Sequence, residues 1–192
     1  MTIAPFSEPD EHWAPDTIVL AHQMLARTAT LVLERDEDGE VVLDTPPDEP
    51  AVARTRAPWA RGPFGRIATD APVPRAAGLF ALVESGTVRY VGTAERLDRM
   101  FGRPGIGEIT CKDCADPRND EVCRLNRRVT AEARLGRAID LYVLVTDSAT
   151  AAGSRTSRVL KALMGRRDGA RHDTRELEAQ LKEATGGAWQ LA

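Results

Sequence analysis

Two β-prone runs around a tight turn constrain the fold of this chain more than any other feature. The runs are Phe80–Val83 and Val88–Val91, and the residues between them are Glu84-Ser85-Gly86-Thr87. A glycine in the turn tolerates the positive φ that a tight chain reversal requires. The segment is therefore predicted to form a β-hairpin, and Thr93–Phe101 after it is predicted to form a helix.

The length and composition exclude several protein classes. At 192 residues the chain can bury a core as one domain with an extension. No apolar run is long enough to span a membrane, and the amino-terminal residues lack the pattern of a signal peptide. Three closely spaced cysteines do not suggest a secreted disulfide framework. We therefore expect a cytoplasmic protein that has no membrane partner.

The charge is distributed unevenly along the chain. Residues 1–50 carry 12 acidic and 2 basic side chains, a net charge of −10, whereas residues 51–192 carry 17 acidic and 24 basic side chains, a net charge of +7. A basic body behind an acidic front part is typical of a domain that meets polyanions. The acidic region is a candidate to bind a protein partner or to mask the basic surface.

The amino-terminal part, residues 1–57, is predicted to be an acidic extension of the main domain. Asp16 is placed to cap a short helix that runs to about Arg27. Asp38-Gly39 between two apolar β-prone runs predicts a hairpin. A proline-rich linker follows.

Residues 58–192 are predicted to form the main domain. Gly62–Ile67 is expected to enter it as a strand, and Ile139–Val145 is expected to be its central strand. Helices are expected over Asp120–Leu135, over Ser154–Met164 and from Asp173 onward. The predicted fold class is α/β (α+β), with a small, mostly antiparallel sheet flanked by helices.

Short motifs at both ends of this domain carry a family resemblance. Gly78-Leu79-Phe80 and Tyr90-Val91-Gly92, at the two ends of the predicted hairpin, resemble the paired motifs of the GIY-YIG nuclease domain. Glu178, followed twelve residues later by Gln190 after an aromatic residue, is similar to the ending of that family, where a helical Glu precedes an Asn. The resemblance runs from about Gly62 to the end of the chain, with a basic insertion at residues 148–175.

The middle of the chain is similar to a subset of the same family that includes restriction-type enzymes. In that subset a Cys, an Arg-aliphatic-Asn tripeptide and a helix follow one another. Here the matching stretches are Ile109–Cys114 and Glu121–Asn126.

The resemblance implies an endonuclease that hydrolyses a phosphodiester of duplex DNA with Mg²⁺ or Mn²⁺. It makes Glu178 the metal ligand and Tyr90 the residue that helps take a proton from the attacking water. Arg96 and Arg99 are the candidates for the arginine that balances charge on the phosphate, and Gln190 holds the terminal amide position. A metal and an arginine supply the electrostatic stabilisation that usually dominates such reactions.

Three positions depart from the family pattern. Phe80, Met100 and Gln190 stand where the resemblance expects Tyr, Arg and Asn. These departures leave a second interpretation open, a catalytically silent module of the same fold that binds DNA or a protein.

Two further groups of residues are candidates for binding. Arginines in the basic insertion and on the helix before it are expected to track the DNA backbone, because phosphate contacts rest on Arg and Lys. They are Arg124, Arg127, Arg128, Arg155, Arg158, Arg166 and Arg167. Cys111, Cys114 and Cys123 could bind zinc with His172, but the second pair of ligands is missing, so we expect buried thiols instead.

Overall fold

The described part of the chain is a mixed α+β protein with an antiparallel sheet and few helices. The computed structural model describes residues 14–45, 58–102 and 105–146, together with Ala179, Glu183 and Trp189. The strands are β1 (Thr17–Leu20), β2 (Gln23–Leu33), β3 (Leu43–Asp44), β4 (Phe64–Gly65), β5 (Ile67–Thr69), β6 (Gly78–Glu84), β7 (Thr87–Ala94) and β8 (Ile139–Val145). The α-helices are α1 (Leu97–Met100) and α2 (Asp120–Arg134), and short 3-10 helices span Pro58–Arg61, Asp113–Ala115 and Pro117–Asn119.

The main sheet has the strand order β1-β2-β8-β6-β7, with β5 paired to β2, and β3 and β4 form a separate pair. All of these pairs are antiparallel. The prediction of β8 as a central strand is confirmed, because it pairs with β2 on one side and β6 on the other. In the described part of the chain, no helix has both the length and the apolar character needed to cross a membrane.

The hairpin at the centre of the sequence is confirmed, but the helix after it is shorter than predicted. Ser85 and Gly86 both adopt positive φ values, 48° and 76°, in the turn between β6 and β7. At the other end, Ala94 pairs with Gly78, so β7 extends through residues assigned to the helix from sequence. Thr93 and Ala94 are therefore part of strand β7, and α1 is a single turn, Leu97–Met100.

The amino-terminal helix predicted between Asp16 and Arg27 is wrong. These residues form the β1–β2 hairpin, whose turn at Ala21 and His22 has φ values of 43° and 64°. Their apolar residues follow a period of two: alternate β1 residues pack against the core, and Val19 between them is 69% exposed. Strand β2 lies before the boundary predicted at residue 57, and β8 lies after it. These two strands pair with each other, so one sheet contains strands from both sides of the boundary.

The two other strand predictions before the central hairpin are confirmed in part, because the residues after the Asp-Gly turn form one isolated bridge with the chain before it and β3 pairs with β4 instead of β2. The chain reverses at the Asp-Gly turn, where Arg35 forms a bridge with Val41 and Gly39 has a φ of 82°. The side chain of Asp36 holds this turn by accepting hydrogen bonds from backbone N–H groups. The Gly62–Ile67 segment enters the fold as β4 and the start of β5.

Hydrophobic residues are buried on both faces of the sheet. Every residue of β6 is buried, as expected for a strand between two neighbours with both faces covered. The first cluster, which we call the α2-side core, includes Phe80, Leu82, Tyr90, Leu125, Val129, Leu141 and Trp189. The cluster on the other face includes Leu25, Leu79, Ala81, Val83, Val91 and Tyr142.

A buried polar network fixes α2 against β4. The side-chain amide of Asn126 donates to the carbonyl oxygens of Gly65 at 2.8 Å and Ile106 at 2.6 Å. The N–H of Gly65 donates in return to Asn126 Oδ1 at 3.2 Å and to Thr130 Oγ1 at 2.9 Å. A Cβ at Gly65 would lie 2.6 Å from Thr130 Oγ1, so only glycine fits this approach. The network thereby sets the position of α2 on the sheet.

Candidate functional site

Tyr90 lies in the middle of β7 with its ring packed in the α2-side core. The residue is 5% exposed. Its ring stacks on that of Phe80, with the ring centroids 5.7 Å apart, and Phe80 meets the ring of Phe101 edge to face at 4.9 Å. Aromatic contacts of this kind hold the ring in one orientation. The position of the Tyr90 hydroxyl is therefore set by packing.

The hydroxyl of Tyr90 donates a hydrogen bond to Oε1 of Glu121. Glu121 lies in the first turn of α2 and is exposed, whereas Tyr90 is buried. The contact therefore lies where the core meets solvent. A carboxylate is favoured at the amino terminus of a helix by the helix dipole, and a hydrogen bond to an ionised acceptor is stronger than a neutral one.

A residue from the carboxy-terminal region reaches the same strand. The backbone N–H of Trp189 donates to the carbonyl oxygen of Arg89 at 3.1 Å, one residue before Tyr90. Trp189 is 9% exposed and belongs to the same core cluster as Tyr90. Glu178 and Gln190, which the sequence placed in the site, lie outside the described residues.

The glycines of the two hairpin motifs are required by packing. A Cβ at Gly92 would lie 2.8 Å from the Phe80 ring and 2.9 Å from the Tyr90 ring. A Cβ at Gly78 would lie 2.5 Å from the carbonyl oxygen of Leu144 on the neighbouring strand. Gly92 therefore gives the two aromatic rings room to stack, and Gly78 lets β8 approach β6.

The acid that the structure places at the phenol is Glu121, to which the sequence analysis assigned no role. The spacing of residues along the predicted helix could have indicated Glu121. Glu121 precedes Leu125 by four residues and so shares the helix face that packs on the sheet. An acidic residue at the sheet-facing start of an amphipathic helix is a candidate partner for a polar group on the strand beneath it.

Two of the departures from the family pattern are core positions. Phe80 is fully buried, and Met100 packs partly buried against the same α2-side core. The aromatic ring and the thioether fill space there, where a hydroxyl or a guanidinium would need a polar partner.

The two candidate arginines sit at α1 in different environments. Arg96 immediately precedes the helix, and its guanidinium forms two hydrogen bonds with the carboxylate of Asp98, at 2.8 Å and 2.7 Å. This pairing raises the pKa of Arg96 and lowers the pKa of Asp98. Arg99 lies on the helix and is exposed. Because Asp98 already engages Arg96, Arg99 is the more available of the two for a phosphate.

Three of the predicted DNA-contacting arginines lie on α2. Arg124 and Arg128 are exposed and one helical turn apart on the same side, and Arg127 is half-buried. The remaining four predicted contacts lie outside the described residues; they are Arg155, Arg158, Arg166 and Arg167.

The expectation of three buried thiols is correct only for Cys111. Cys114 and Cys123 form a disulfide, with their Cα atoms 6.0 Å apart, and Cys111 is a buried thiol outside that disulfide. The eight residues between the paired cysteines include the turn from the 3-10 helices into α2, which brings Cys123 back beside Cys114. Within residues 14–45, 58–102 and 105–146, no three His, Cys, Asp or Glu side chains are grouped so as to hold a metal ion.

A second set of charged residues stabilises the turn end of the central hairpin. Glu84 is buried, and its carboxylate accepts hydrogen bonds from Arg89, the shorter at 2.6 Å, and from Ser85 at 3.0 Å. Burial acts to raise the pKa of Glu84, but the hydrogen bonds from Arg89 and Ser85 outweigh it and lower that pKa. This group lies at the end of β6, and we assign it a structural role.

Comparisons of the chain with known protein families, with curated proteins and with solved structures found no match. A function is therefore inferred from the geometry at Tyr90 and from the order of the motifs.

Proposed function

We propose that this protein is a metal-dependent DNA endonuclease of GIY-YIG type that hydrolyses a phosphodiester in duplex DNA. The observation that carries the proposal is the meeting of three chain segments at Tyr90. Strand β7 holds the phenol, the first turn of α2 supplies the carboxylate of Glu121, and Trp189 bonds the adjacent residue of β7. A site built from distant segments is what a catalytic centre requires and what an isolated strand tyrosine lacks.

The order of the motifs gives independent support. The two glycine-containing motifs are paired across the hairpin, with Phe80 opposite Gly92. Gly78 and Gly92 both lie where a Cβ atom would come too close to neighbouring residues. The resemblance to the nuclease domain thus rests on residues that have defined places in the fold.

In the proposed reaction Tyr90 acts as the general base with help from Glu121. The proton of the phenol passes along the existing hydrogen bond to Glu121, and the phenolate oxygen takes a proton from a water molecule. The resulting hydroxide attacks phosphorus, the bond between phosphorus and the leaving sugar oxygen breaks, and that oxygen takes up a proton from solvent. Positioned proton transfer of this kind contributes roughly 10²- to 10⁴-fold to a rate. Arg99 is assigned to the phosphate oxygens.

A Mg²⁺ or Mn²⁺ ion fits the chemistry of the groups near Tyr90. Mg²⁺ is commonly held by one or two carboxylates together with substrate phosphates and water. Glu121 is one such carboxylate beside the phenol, and Glu178 is the second ligand that we propose from the motif order. When bound, the ion would stabilise the negative charge that develops on the phosphate.

The DNA is proposed to lie along the arginines of α2, which begins at the same point as the site. Arg124 and Arg128 follow Glu121 by three and seven residues on this helix and are exposed. A duplex whose scissile phosphate reaches Tyr90 can therefore meet both arginines along its backbone. The proposal includes a cytoplasmic location, where such a protein meets its DNA substrate.

The second candidate is a module of the same fold that binds DNA or a protein without cutting. The observation in its favour is that Phe80 and Met100 are used as core residues, and that Asp98 engages Arg96. Phe80 and Met100 therefore provide no hydroxyl or charge to a reaction, and the charge of Arg96 is already engaged by Asp98.

Nicking of supercoiled plasmid separates the two candidates. The purified protein is incubated with plasmid in Mg²⁺, in Mn²⁺ and in excess chelator, and Glu178→Ala is compared with Glu183→Ala. Glu183 is an exposed helical residue of the same region and serves as the matched control. We expect metal-dependent nicking that Glu178→Ala abolishes and Glu183→Ala preserves. Duplex binding without nicking in either metal would favour the silent module.

A further inference from the structure

We propose that Cys114 and Cys123 form a thiol–disulfide switch that controls the start of α2 and, through it, the contact between Glu121 and Tyr90. The proposal concerns the geometry of this contact and stands whether or not the protein cuts DNA.

The cysteines form one buried group. Cys111, Cys114 and Cys123 lie in the same apolar cluster with Phe64 and Ile109, and their exposed fractions are 7%, 6% and 0%. Two of them are bonded to each other and the third is a thiol. The disulfide is therefore part of the apolar packing between this segment and α2.

The disulfide joins two elements at the start of α2, where the helix has no side-chain cap. It connects the 3-10 helix Asp113–Ala115 to the second turn of α2. The residue before the helix, Asn119, makes no capping hydrogen bond with its side chain, which donates instead to the carbonyl oxygen of Asp113 at 2.9 Å. A helix start that lacks a side-chain cap is less stable than a capped one. The covalent link therefore supplies stability that the cap does not.

Glu121 lies within the segment that this link holds. It precedes Cys123 by two residues and follows Cys114 by seven, so it belongs to the loop that the disulfide closes. Closing a loop restricts the chain conformations available to it. When the disulfide opens, the first turn of α2 gains freedom, and the carboxylate of Glu121 is held less firmly at the hydroxyl of Tyr90.

The chemical step is exchange with a small dithiol or with a protein that carries two thiols. One thiolate of the reductant attacks the sulfur of Cys114, the residue that is 6% exposed where Cys123 is fully buried. The bond between the two protein sulfurs breaks, and the Cys123 sulfur leaves and takes up a proton. The second thiolate of the reductant then attacks the mixed disulfide, which releases Cys114 as a thiol and leaves the reductant oxidised.

The predicted location favours a switch over a permanent cross-link. Disulfides in the cytoplasm are rare and are usually transient, catalytic or redox-sensing, because the thiol pool keeps cysteines reduced. In that compartment the reduced protein would be the resting form, and oxidation would tighten the Tyr90–Glu121 contact.

Two measurements on the full-length protein test the proposal. The first counts free thiols in denaturant after the protein has been treated with oxidised glutathione, or with a small dithiol that is then removed. The disulfide is located by peptide mass. We expect one free thiol after oxidation and three after reduction, with Cys114 joined to Cys123. Three free thiols after oxidation, or a bond that involves Cys111, would overturn the proposal.

The second measurement uses the two tyrosines of the chain, Tyr90 and Tyr142. Labelling tyrosine rings with ¹³C gives two NMR signals, which Tyr142→Phe assigns. We expect reduction to shift the Tyr90 signal in the same direction as Glu121→Gln does. The signal of Tyr142, which lies in the core cluster on the other face of the sheet, stays in place.

Control variants separate the disulfide from the third cysteine. Cys111→Ser is expected to keep the response of the Tyr90 signal to reduction, and Cys123→Ser to show the reduced-state signal under all conditions. If Cys123→Ser does not fold, reduction of the wild-type protein still gives the comparison. A Tyr90 signal that is identical in the oxidised and reduced wild-type protein would contradict the switch.

Discussion

The hydroxyl of Tyr90 on β7 donates its hydrogen bond to the carboxylate of Glu121, 31 residues further along the chain at the start of α2. The phenol belongs to a ring packed in the core, and the carboxylate belongs to an exposed side chain. The pair joins the rigid hairpin to the solvent-facing end of a helix.

The first prediction concerns the carboxylate. Glu121→Gln keeps the size of the side chain but removes its capacity to accept the phenol proton as a base. We expect the plasmid-nicking rate to fall by about a hundredfold. Glu132→Gln, on the same helix three turns away, is the control and should nick at the wild-type rate.

The double variant sharpens this test. If Tyr90 and Glu121 act as one proton-transfer unit, adding Tyr90→Phe to Glu121→Gln lowers the rate little further, because groups that act together are not additive. A double variant whose loss is the product of the two single losses would show that the residues act separately.

The second prediction concerns stability. Asn126→Ala removes the donors to the carbonyl oxygens of Gly65 and Ile106 in a buried site, and leaves both unpaired. We expect the free energy of unfolding to fall by about 2–3 kcal/mol. Asn119→Ala removes a single, half-buried hydrogen bond and should cost less than about 1 kcal/mol. Urea unfolding followed by circular dichroism measures both, and equal losses would mean that the network does not fix α2.

Local turn chemistry explains which parts of the fold could be predicted from sequence. The hairpins at Gly39 and Gly86 carry glycines at positive φ, and β8 is a continuous β-prone run. The turn at Ala21 and His22 has no such signal, although both residues adopt positive φ. A helix and a strand were both compatible with that apolar segment, and its pairing with distant β8 was decided by tertiary contacts.

The same distinction applies to the site. The position of Tyr90 on the hairpin was predictable because its motif is local, with both parts on one hairpin. The Tyr90–Glu121 contact depends on how α2 lies across the sheet, which the network at Asn126 fixes over long sequence distances. The disulfide was missed for the same reason, since the distance between Cys114 and Cys123 depends on the path of the 3-10 helices into α2.

The third prediction is a pH dependence at the hairpin turn. The hydrogen bonds of Glu84 hold its pKa in the folded state below the value of 4.5 expected when it is unfolded. Its ionised form therefore stabilises the fold above about pH 4.5, and this contribution is lost as the pH falls through the folded-state pKa. Urea unfolding between pH 6 and pH 3 should give Glu84→Gln a shallower decline in stability than the wild type. Parallel declines would contradict the assignment.

The fourth prediction concerns DNA binding. Arg124→Ala combined with Arg128→Ala removes two exposed positive charges from α2. If each contacts one phosphate, the plot of log affinity against log salt becomes less steep by about 1.8. Arg35→Ala, in the turn between β2 and β3, is the control and should leave the slope unchanged. A slope unaffected by the α2 substitutions would remove this helix from the DNA interface.

The most direct measurement compares Tyr90→Phe with Tyr142→Phe in the plasmid-nicking assay with Mg²⁺. Both variants lose a single hydroxyl. The hydroxyl of Tyr142 donates a hydrogen bond to the carbonyl oxygen of Pro15. Tyr142 lies in the core cluster on the other face of the sheet. We predict that Tyr142→Phe nicks at close to the wild-type rate and that Tyr90→Phe is slower by about a hundredfold or more. Nicking by Tyr90→Phe at the wild-type rate would contradict a catalytic site at Tyr90.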